Sequence, residues 1–322
     1  MPFFSKIENW IASLPLVSKV INKSKSTSLP GFRGIPLYDV IMFFFSQVKT
    51  VGMTERASAI SYNLFMAIPP ALIFLFTLIP LLPITQQFQE QLYGLIRDVI
   101  PGEKDHDVLI KFLKDFINKP RNGLLSLGFV LSVYFSSNAM MSIMRSFDKN
   151  YIGLKKRTGL QKRGVALKIT MIFFVLVFVS VLLLIGQGQV LKVIGIRNAT
   201  IRNIIVNIRW VIIVLLFFAI ISYIYRHAPA IQKKWRLINP GSILATFLML
   251  LLTVLFSWWV SYFGSFNQLY GSIGTVLILM VLIFINSLIL LIGFELNVSI
   301  SSLKKIADER KDNPADGSEN PV

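Results

Sequence analysis

The sequence predicts an all-α polytopic membrane protein with six transmembrane helices and additional amphipathic helices at the membrane surface. Of the 322 residues, 54% are hydrophobic and only 15% are charged, whereas a typical soluble domain carries roughly 25% charged residues. The mean hydropathy is +0.65. The hydrophobic residues also occur in blocks long enough to cross a hydrocarbon core of roughly 30 Å at roughly 1.5 Å per helical residue. The chain is therefore too apolar for an ordinary soluble fold.

The net charge of +17 is interpreted in the same way. A basic chain can bind nucleic acid, but here the positive residues flank apolar segments, where they orient the protein and contact anionic lipid headgroups. We therefore expect membrane lipids with anionic headgroups as partners, and no nucleic acid. The chain has no cysteine, so it forms no disulfide and no cysteine-based metal site.

Residues 1–36 are predicted to be a cytoplasmic amphipathic segment and linker. Hydrophobic residues recur at helical spacing in residues 3–14, which is typical of a helix near the headgroups. A Lys/Ser-rich stretch at residues 23–26 then indicates a linker. Residues 37–48 carry a second apolar face, which predicts a helix that either lies along the membrane or packs on the bundle.

Residues 37–303 contain the predicted transmembrane domain. A helical outer loop is predicted at residues 84–122, and residues 304–322 are predicted to be a disordered cytoplasmic tail because they are charged and lack an apolar face. Lys and Arg are concentrated at both termini and in alternate loops, so the positive-inside rule puts both termini in the cytoplasm. The six predicted spans are residues 57–82, 124–144, 165–185, 204–225, 241–263 and 274–296.

Polar and proline residues mark the first two spans. Pro69 and Pro70 predict a kink or break, because each proline removes a backbone donor and restricts the preceding residue. Broken helices line substrate sites in transporters, although purely structural kinks are commoner. Asn63 in the first span and Asn138 in the second are amides at membrane depth. Such amides either hydrogen-bond a neighbouring helix or line a wet cavity.

Glu295 is the only acidic residue inside a predicted span. An intramembrane carboxylate is costly and requires a partner. Arg145 and Arg226 are the expected partners, because both are predicted near the same cytoplasmic end. Such a pair fixes helix packing or forms a proton or substrate site, and the sequence leaves both open. Asn297 follows on the same helix as a second polar candidate.

Glycine and proline are concentrated at the ends of the last two spans. Pro229 follows Arg226, and Pro240 and Gly241 open the fifth span. This pattern suits a helix N-terminus whose free N–H groups attract an anion, or a tight turn held in the cytoplasm by positive charge. In the predicted outer loop before the sixth span, close helix packing or an outer gate is expected at Asn267, Tyr270, Gly271 and Gly274.

Six motifs in this order resemble the YihY/BrkB family of bacterial inner-membrane proteins, formerly labelled ribonuclease BN. They are A-I-S-Y-N-L-F-M-A-I-P-P, S-S-N-A-M-M-S-I-M-R-S-F-D-K-N-Y, Y-R-H-A-P, N-P-G-S-I-L-A-T, N-Q-L-Y-G-S-I-G and G-F-E-L-N. The resemblance implies six helices in a bacterial inner (plasma) membrane. It implies no settled activity: serum resistance has been linked to members, and export of lipids or small solutes has been proposed.

We expect the protein to transport or translocate a lipid or a small anionic solute along a polar path. The alternative is a non-transporting membrane scaffold for envelope assembly or integrity. A transporter requires a wet cavity that reaches Asn63, Asn138 and Glu295, whereas a scaffold buries these residues in dry helix contacts.

Enzymatic activity is not expected. Metal-assisted phosphodiester hydrolysis needs several converging ligands, but the chain has only two histidines, His106 and His227, and the predicted topology puts them on opposite faces. No G-x-x-x-x-G-K-S/T loop occurs, and no cofactor or metal site is predicted.

Overall fold

The computed structural model describes residues 15–50, 52–78, 110–111, 114, 122–148, 157–193, 199–231, 234–262 and 266–312. The elements of this part of the chain are all α-helices, which confirms the predicted fold class. In chain order they are α1 (Pro15–Ser26), α2 (Leu37–Thr50), α3 (Met53–Leu78), α4 (Asn122–Phe147), α5 (Gly159–Val193), α6 (Ala199–His227), α7 (Pro240–Tyr262) and α8 (Phe266–Asp312).

Four of these helices are long and apolar enough to cross a membrane. The qualifying segments are Met53–Leu75, Leu125–Phe147, Pro240–Trp259 and Val276–Arg310, which correspond to predicted spans one, two, five and six. The third and fourth predicted spans fall within α5 and α6, helices of 35 and 29 residues. The count of six spans stays a prediction. Residues 3–14 and nearly all of the predicted outer loop lie outside the described residues.

Helices α3 and α4 form an antiparallel pair. The hydroxyl of Ser142 donates to the carbonyl of Ala59 over 3.0 Å near one end of the pair. Near the other end, a Cβ on Gly128 would lie 3.2 Å from Cγ2 of Ile73. From the first contact to the second, the residue number rises from 59 to 73 in α3 and falls from 142 to 128 in α4, so the two helices run in opposite directions. An added Cβ at Gly128 would be tight against Ile73 and the backbone of Phe74, so glycine favours this close approach.

Of the predicted kink or break at Pro69 and Pro70, the break is absent, because α3 continues as a helix through both prolines; a kink stays a prediction. Each proline removes one hydrogen bond of the i→i−4 ladder, but the bonds before and after the pair hold the helical path. Contact with α4 along this part of α3 adds further support. The two prolines therefore lie within a span rather than at a gap.

Helix α8 is the central element of the bundle, because it contacts α2, α3, α4 and α7. Its buried side chains include Leu291, Phe294 and Val298, which belong to the main hydrophobic cluster. A second, smaller cluster joins the loop before α2 to α8 through Phe32, Val40 and Ile300. The outer face of α2 remains exposed, so this helix packs on the bundle with one side only.

Three segments predicted to be irregular are helical. Residues 23–26 close α1, residues 267–271 lie in the first turns of α8, and residues 304–312 extend α8 beyond the expected start of the tail. The last extension has a local cause. Lys304–Asp308 at 2.9 Å and Lys305–Glu309 at 3.6 Å are ion pairs at spacing i,i+4 that stabilise a helix, and Ala307 packs against the second hydrophobic cluster.

Candidate functional site

A buried ion pair lies where the first turn of α3 meets α8. Nη1 of Arg56 is 2.7 Å from Oε1 of Glu295, and both residues are 3% exposed. The second terminal nitrogen of Arg56 donates to the carbonyl of Ser146 at the end of α4. The guanidinium thus connects three helices. Charged groups this deeply buried are tolerated only when paired and hydrogen-bonded.

The expected partners of Glu295 were wrong. Arg145 is exposed and Arg226 is half-exposed, while the carboxylate pairs with Arg56. The reason is the position of α3, which begins at Met53, four residues before the predicted span, and packs directly against α8. Arg56 was therefore treated as part of a loop, although it lies inside a helix.

A network of amides joins the start of α7 to α8. Asn297 Nδ2 donates to Asn239 Oδ1 over 2.6 Å, and Asn297 Oδ1 accepts from the backbone N–H of Gly241 over 2.9 Å. Asn239 Oδ1 also accepts from the N–H of Ser242 over 2.8 Å, as an N-cap residue does. Asn297 thereby acts as a second cap, supplied by another helix.

The N-terminus of α7 is consequently not a free anion site. Pro240 has no N–H, the N–H groups of Gly241 and Ser242 bind asparagine side chains, and the N–H of Ile243 binds the carbonyl of Asn239. The first-turn donors that would attract an anion are thus occupied. The predicted turn is present, and its backbone N–H groups are hydrogen-bonded to other groups of the protein.

Helices α7 and α8 approach most closely at Gly241 and Gly293. A Cβ built on Gly293 would lie 2.6 Å from the carbonyl oxygen of Gly241 and 2.8 Å from Cβ of Ala245. The hydroxyl of Tyr225 lies against the same point and donates to the carbonyl of Leu290 over 2.7 Å. Only glycine fits at these two positions, as is typical of close packing between membrane helices.

Aromatic rings fill the space beside this crossing. Phe147 and Phe294 stack with ring centroids 3.9 Å apart and planes inclined by 6°. The rings of Tyr225 and Trp235 lie against Phe294 at 6.4 Å and 5.5 Å. All four side chains are buried, so an apolar aromatic cluster lies at the junction of α4, α6 and α8.

A second polar group joins α5 to α4. Nη1 of Arg163 in α5 donates to Oδ1 of Asn138 in α4, and the guanidinium carbon is 5.1 Å from the ring centroid of Tyr134. Asn63 does not join them, because its Nδ2 donates to the carbonyl of Ala59 in its own helix over 2.8 Å. Asn63 and Asn138 are both half-exposed.

Of the other predicted site residues, Pro229 and Gly274 are described in full. Pro229 is fully buried, and its carbonyl accepts from Nη2 of Arg157 over 3.3 Å. Gly274 is buried within α8. The side chains of Asn267 and Tyr270 lie outside the described residues, although their backbone belongs to α8, as does that of Gly271.

The basic end of α6 also holds a neutral imidazole. Burial lowers the pKa of His227, a hydrogen bond to the carbonyl of Tyr223 opposes that shift, and the charges of Lys234, Arg226 and Lys168 lower the pKa further. His227 is therefore uncharged at neutral pH and adds nothing to the positive charge around it.

Sequence reasoning missed Arg56 and Arg163. Each lies within the first turns of a helix whose apolar run begins a few residues later, at Ala57 and Val165. The sequence held only a partial signal, because exposed Arg145 adjoins the apolar run of its helix just as Arg56 and Arg163 do.

The fold and these sites define a polytopic α-helical membrane protein whose helices are joined by buried polar contacts near one end of the bundle. Residues 44–319 match the model of the family described as Virulence factor BrkB, and the chain belongs to that family. The resemblance found in the motifs is thereby confirmed.

Named relatives agree with this assignment. The chain is 25% identical over 259 residues to YfkH of Bacillus subtilis, named as a ribonuclease-like protein, across 79% of this chain and 92% of the relative. It is 25% identical to a UPF0761 membrane protein of Chromohalobacter salexigens, across 75% of this chain and 58% of that protein. A UPF0761 membrane protein of Haemophilus influenzae is 21% identical, across 85% of this chain and 98% of that protein. No solved structure matches the chain significantly.

Proposed function

We propose that this protein translocates a lipid or a small anionic solute across a bacterial inner membrane, with both termini in the cytoplasm. The observation that carries the proposal is the Arg163–Asn138 contact. Arginine binds phosphate and carboxylate groups in a planar, bidentate manner. Ionisable side chains within membrane-spanning helices line substrate paths by default.

The depth of this contact supports the proposal. Since Ser142 meets Ala59 in an antiparallel pair, Asn138 lies level with Asn63. Asn63 is ten residues beyond Met53, the first residue of the first candidate span, which corresponds to about 15 Å along a helix. Arg163 precedes the apolar run of α5, which begins at Val165, so its guanidinium reaches into the bundle from the end at which α5 begins. A guanidinium held there attracts an anionic group into the bundle.

An exposed polar face on α3 supports a path that is open to the bilayer. Ser58 and Tyr62 are exposed, Tyr62 by 60%, and Ser61 is half-exposed. The hydroxyl of Ser58 donates to the carbonyl of Thr54 over 2.9 Å, and that of Ser61 to the carbonyl of Ser58 over 3.0 Å. Hydroxyls bonded to their own helix still have acceptor capacity for a passing headgroup.

The proposed path does not include Glu295 or Asn297. Both are buried against neighbouring helices, in the dry contacts expected of residues that fix packing. This observation favours the second candidate function, a membrane scaffold for envelope assembly or integrity. The ribonuclease-like name of one relative belongs to that protein, and our proposal contains no nuclease activity.

Reconstituted vesicles test the proposal. Wild-type protein is expected to accelerate the flip of a fluorescent phospholipid, or the release of an anionic dye, and Arg163→Gln to slow that process at least tenfold. Lys168→Gln is the matched control, because it removes one exposed positive charge from the same helix. If empty and protein-containing vesicles show equal rates for both probes, the transport proposal fails and the scaffold is favoured.

A further inference from the structure

A half-open cavity of about 910 Å³ lies beside the start of α7, and Asn239 and Asn297 of the amide network form part of its wall. Its walls come from three separate parts of the chain: the turn at residues 30–33, the segment at residues 235–243, and α8 from residue 297 to residue 308. Pro240, which lines it, is the first residue of a candidate membrane span. The cavity is therefore located where a span begins, at the level of the headgroups.

The charge of the cavity wall is positive. Three cationic residues line it, Arg33, Arg236 and Lys304, and the one acidic residue is Asp308. Asp308 is paired with Lys304 over 2.9 Å. Among the residues that the structure describes, neither Arg33 nor Arg236 has an ion-pair partner. Two guanidinium groups thus remain to bind an anion.

The backbone holds Arg33 in an unusual conformation. Its φ angle is 54°, in the left-handed region that residues with a side chain seldom adopt. The turn is fixed on both sides, because Phe32 is buried and Gly31 lies so close to α7 that a Cβ there would be 2.8 Å from Cγ of Pro240. Strained positions of this kind recur at ligand clamps.

An apolar stripe on α7 leads away from the cavity. Ile243 lines the cavity and is 54% exposed, and Phe247 on the next turn is 61% exposed. Leu251 and Val254 continue the same face of α7 and are also exposed. Residues at spacing i, i+4 share one side of a helix. The cationic cavity is therefore continuous with an apolar surface within a candidate span.

We infer that this cavity binds the phosphate-bearing headgroup of an anionic phospholipid, whose acyl chains lie along the exposed stripe of α7. Charge complementarity selects an anion, because Arg33 and Arg236 offer bidentate contacts to phosphate. The stripe selects an amphiphile over a water-soluble phosphate. The inference deepens the proposed function, because it names a lipid class and a binding site. Only the biological role of the bound lipid rests on the proposed function.

Native mass spectrometry of the full chain in mixed micelles measures this binding directly. We expect wild-type protein to retain phosphatidylglycerol in preference to phosphatidylcholine. The double variant Arg33→Gln/Arg236→Gln should lose retention by about fivefold for each arginine removed, since a basic residue near an anionic membrane surface contributes about that factor. Glutamine at position 33 is under the same backbone strain as arginine, so the turn is expected to fold.

The double variant Lys23→Gln/Lys305→Gln is the control, because both lysines are exposed and neither lines the cavity. Equal losses in the two double variants would overturn the inference, as would equal retention of the two lipids by wild type. Displacement of the lipid by glycerol phosphate at constant ionic strength would show that a free phosphate is the ligand, and would also overturn it.

Binding and transport are separable in these experiments. Arg163→Gln is expected to retain phosphatidylglycerol fully, whatever its rate of lipid flip. Intact retention with no transport in wild type would contradict the proposed function alone. If the wild type transports lipid but retains phosphatidylglycerol and phosphatidylcholine equally, the binding site alone is contradicted.

Discussion

The guanidinium of Arg56 and the carboxylate of Glu295 are 2.7 Å apart, although 239 residues separate them in the chain. This contact holds the first membrane-spanning helix against the last. It also explains how a carboxylate persists inside an apolar bundle, because each charge satisfies the other and Arg56 donates a further hydrogen bond to Ser146.

Removal of one partner of this pair should be costly. Glu295→Gln leaves the buried charge of Arg56 without its counter-ion, and we expect the free energy of unfolding in detergent micelles to fall by about 3–5 kcal/mol. The double variant Arg56→Met/Glu295→Leu should lose less than half of that amount, because no unpaired charge remains. Denaturant unfolding followed by circular dichroism measures both losses.

An exposed pair on the same helix is the control. Lys305→Ala breaks a contact of 3.6 Å to Glu309, and surface pairs contribute less than about 1 kcal/mol. A loss for Glu295→Gln as small as that for Lys305→Ala would contradict a structural role for the buried pair.

The crossing of α7 and α8 should not tolerate a methyl group. Gly293→Ala brings a Cβ against the carbonyl of Gly241 and the side chain of Ala245, and overpacking of this kind costs about 1–3 kcal/mol. Gly164→Ala is the matched change, since nothing lies within 4 Å of its added Cβ. We expect Gly164→Ala to stabilise α5 by about 0.5–1 kcal/mol, so thermal unfolding should shift in opposite directions.

Because Asn297 bridges α7 and α8, truncation of its side chain to alanine should lower the free energy of unfolding. Asn297→Ala leaves the N–H of Gly241 buried without an acceptor, at a cost of about 1–3 kcal/mol. Asn297→Asp retains that acceptor but cannot donate to Asn239 Oδ1, so it should also destabilise the protein. Asn286→Ala, which removes only a bond to Leu282 of the same helix, should have a smaller effect in the same unfolding assay.

The register of α3 and α4 is testable because the chain lacks cysteine. Ala59→Cys/Ser142→Cys should form a disulfide on mild oxidation, since these residues contact each other across the pair. Ala59→Cys/Gly128→Cys should remain reduced, because Gly128 lies against Ile73 near the other end of the helix pair. Mass spectrometry of linked peptides distinguishes the two, and linkage in the second variant alone would disprove the register.

The helices themselves were largely predictable. The apolar runs are long and uninterrupted, so the fifth span predicted at residues 241–263 coincides closely with α7 at Pro240–Tyr262. The need of Glu295 for a cation was also predictable, since it follows from the cost of burying a charge. Its identity was not, because the choice between Arg56 and Arg145 depends on which helices are neighbours.

The sites were harder to predict than the helices, because their residues come from segments that are far apart in the sequence. The N-P-G pattern indicated the start of α7, but only the packing of α8 brings Asn297 onto its first turn. In the same way, Arg163 reads as part of a basic loop until α5 is seen to begin at Gly159 and to pack beside α4. Contacts between residues 25 or more positions apart have no local signature in the sequence.

The length of α8 has a mechanical consequence. Its 47 residues form an uninterrupted rod about 70 Å long, more than twice the thickness of the hydrocarbon core. The same rod carries Glu295, Asn297 and Lys304, and so connects the ion pair, the cap of α7 and the wall of the cationic cavity. A tilt of α8 at any one of these places has to be accommodated at the other two, because no hinge separates them.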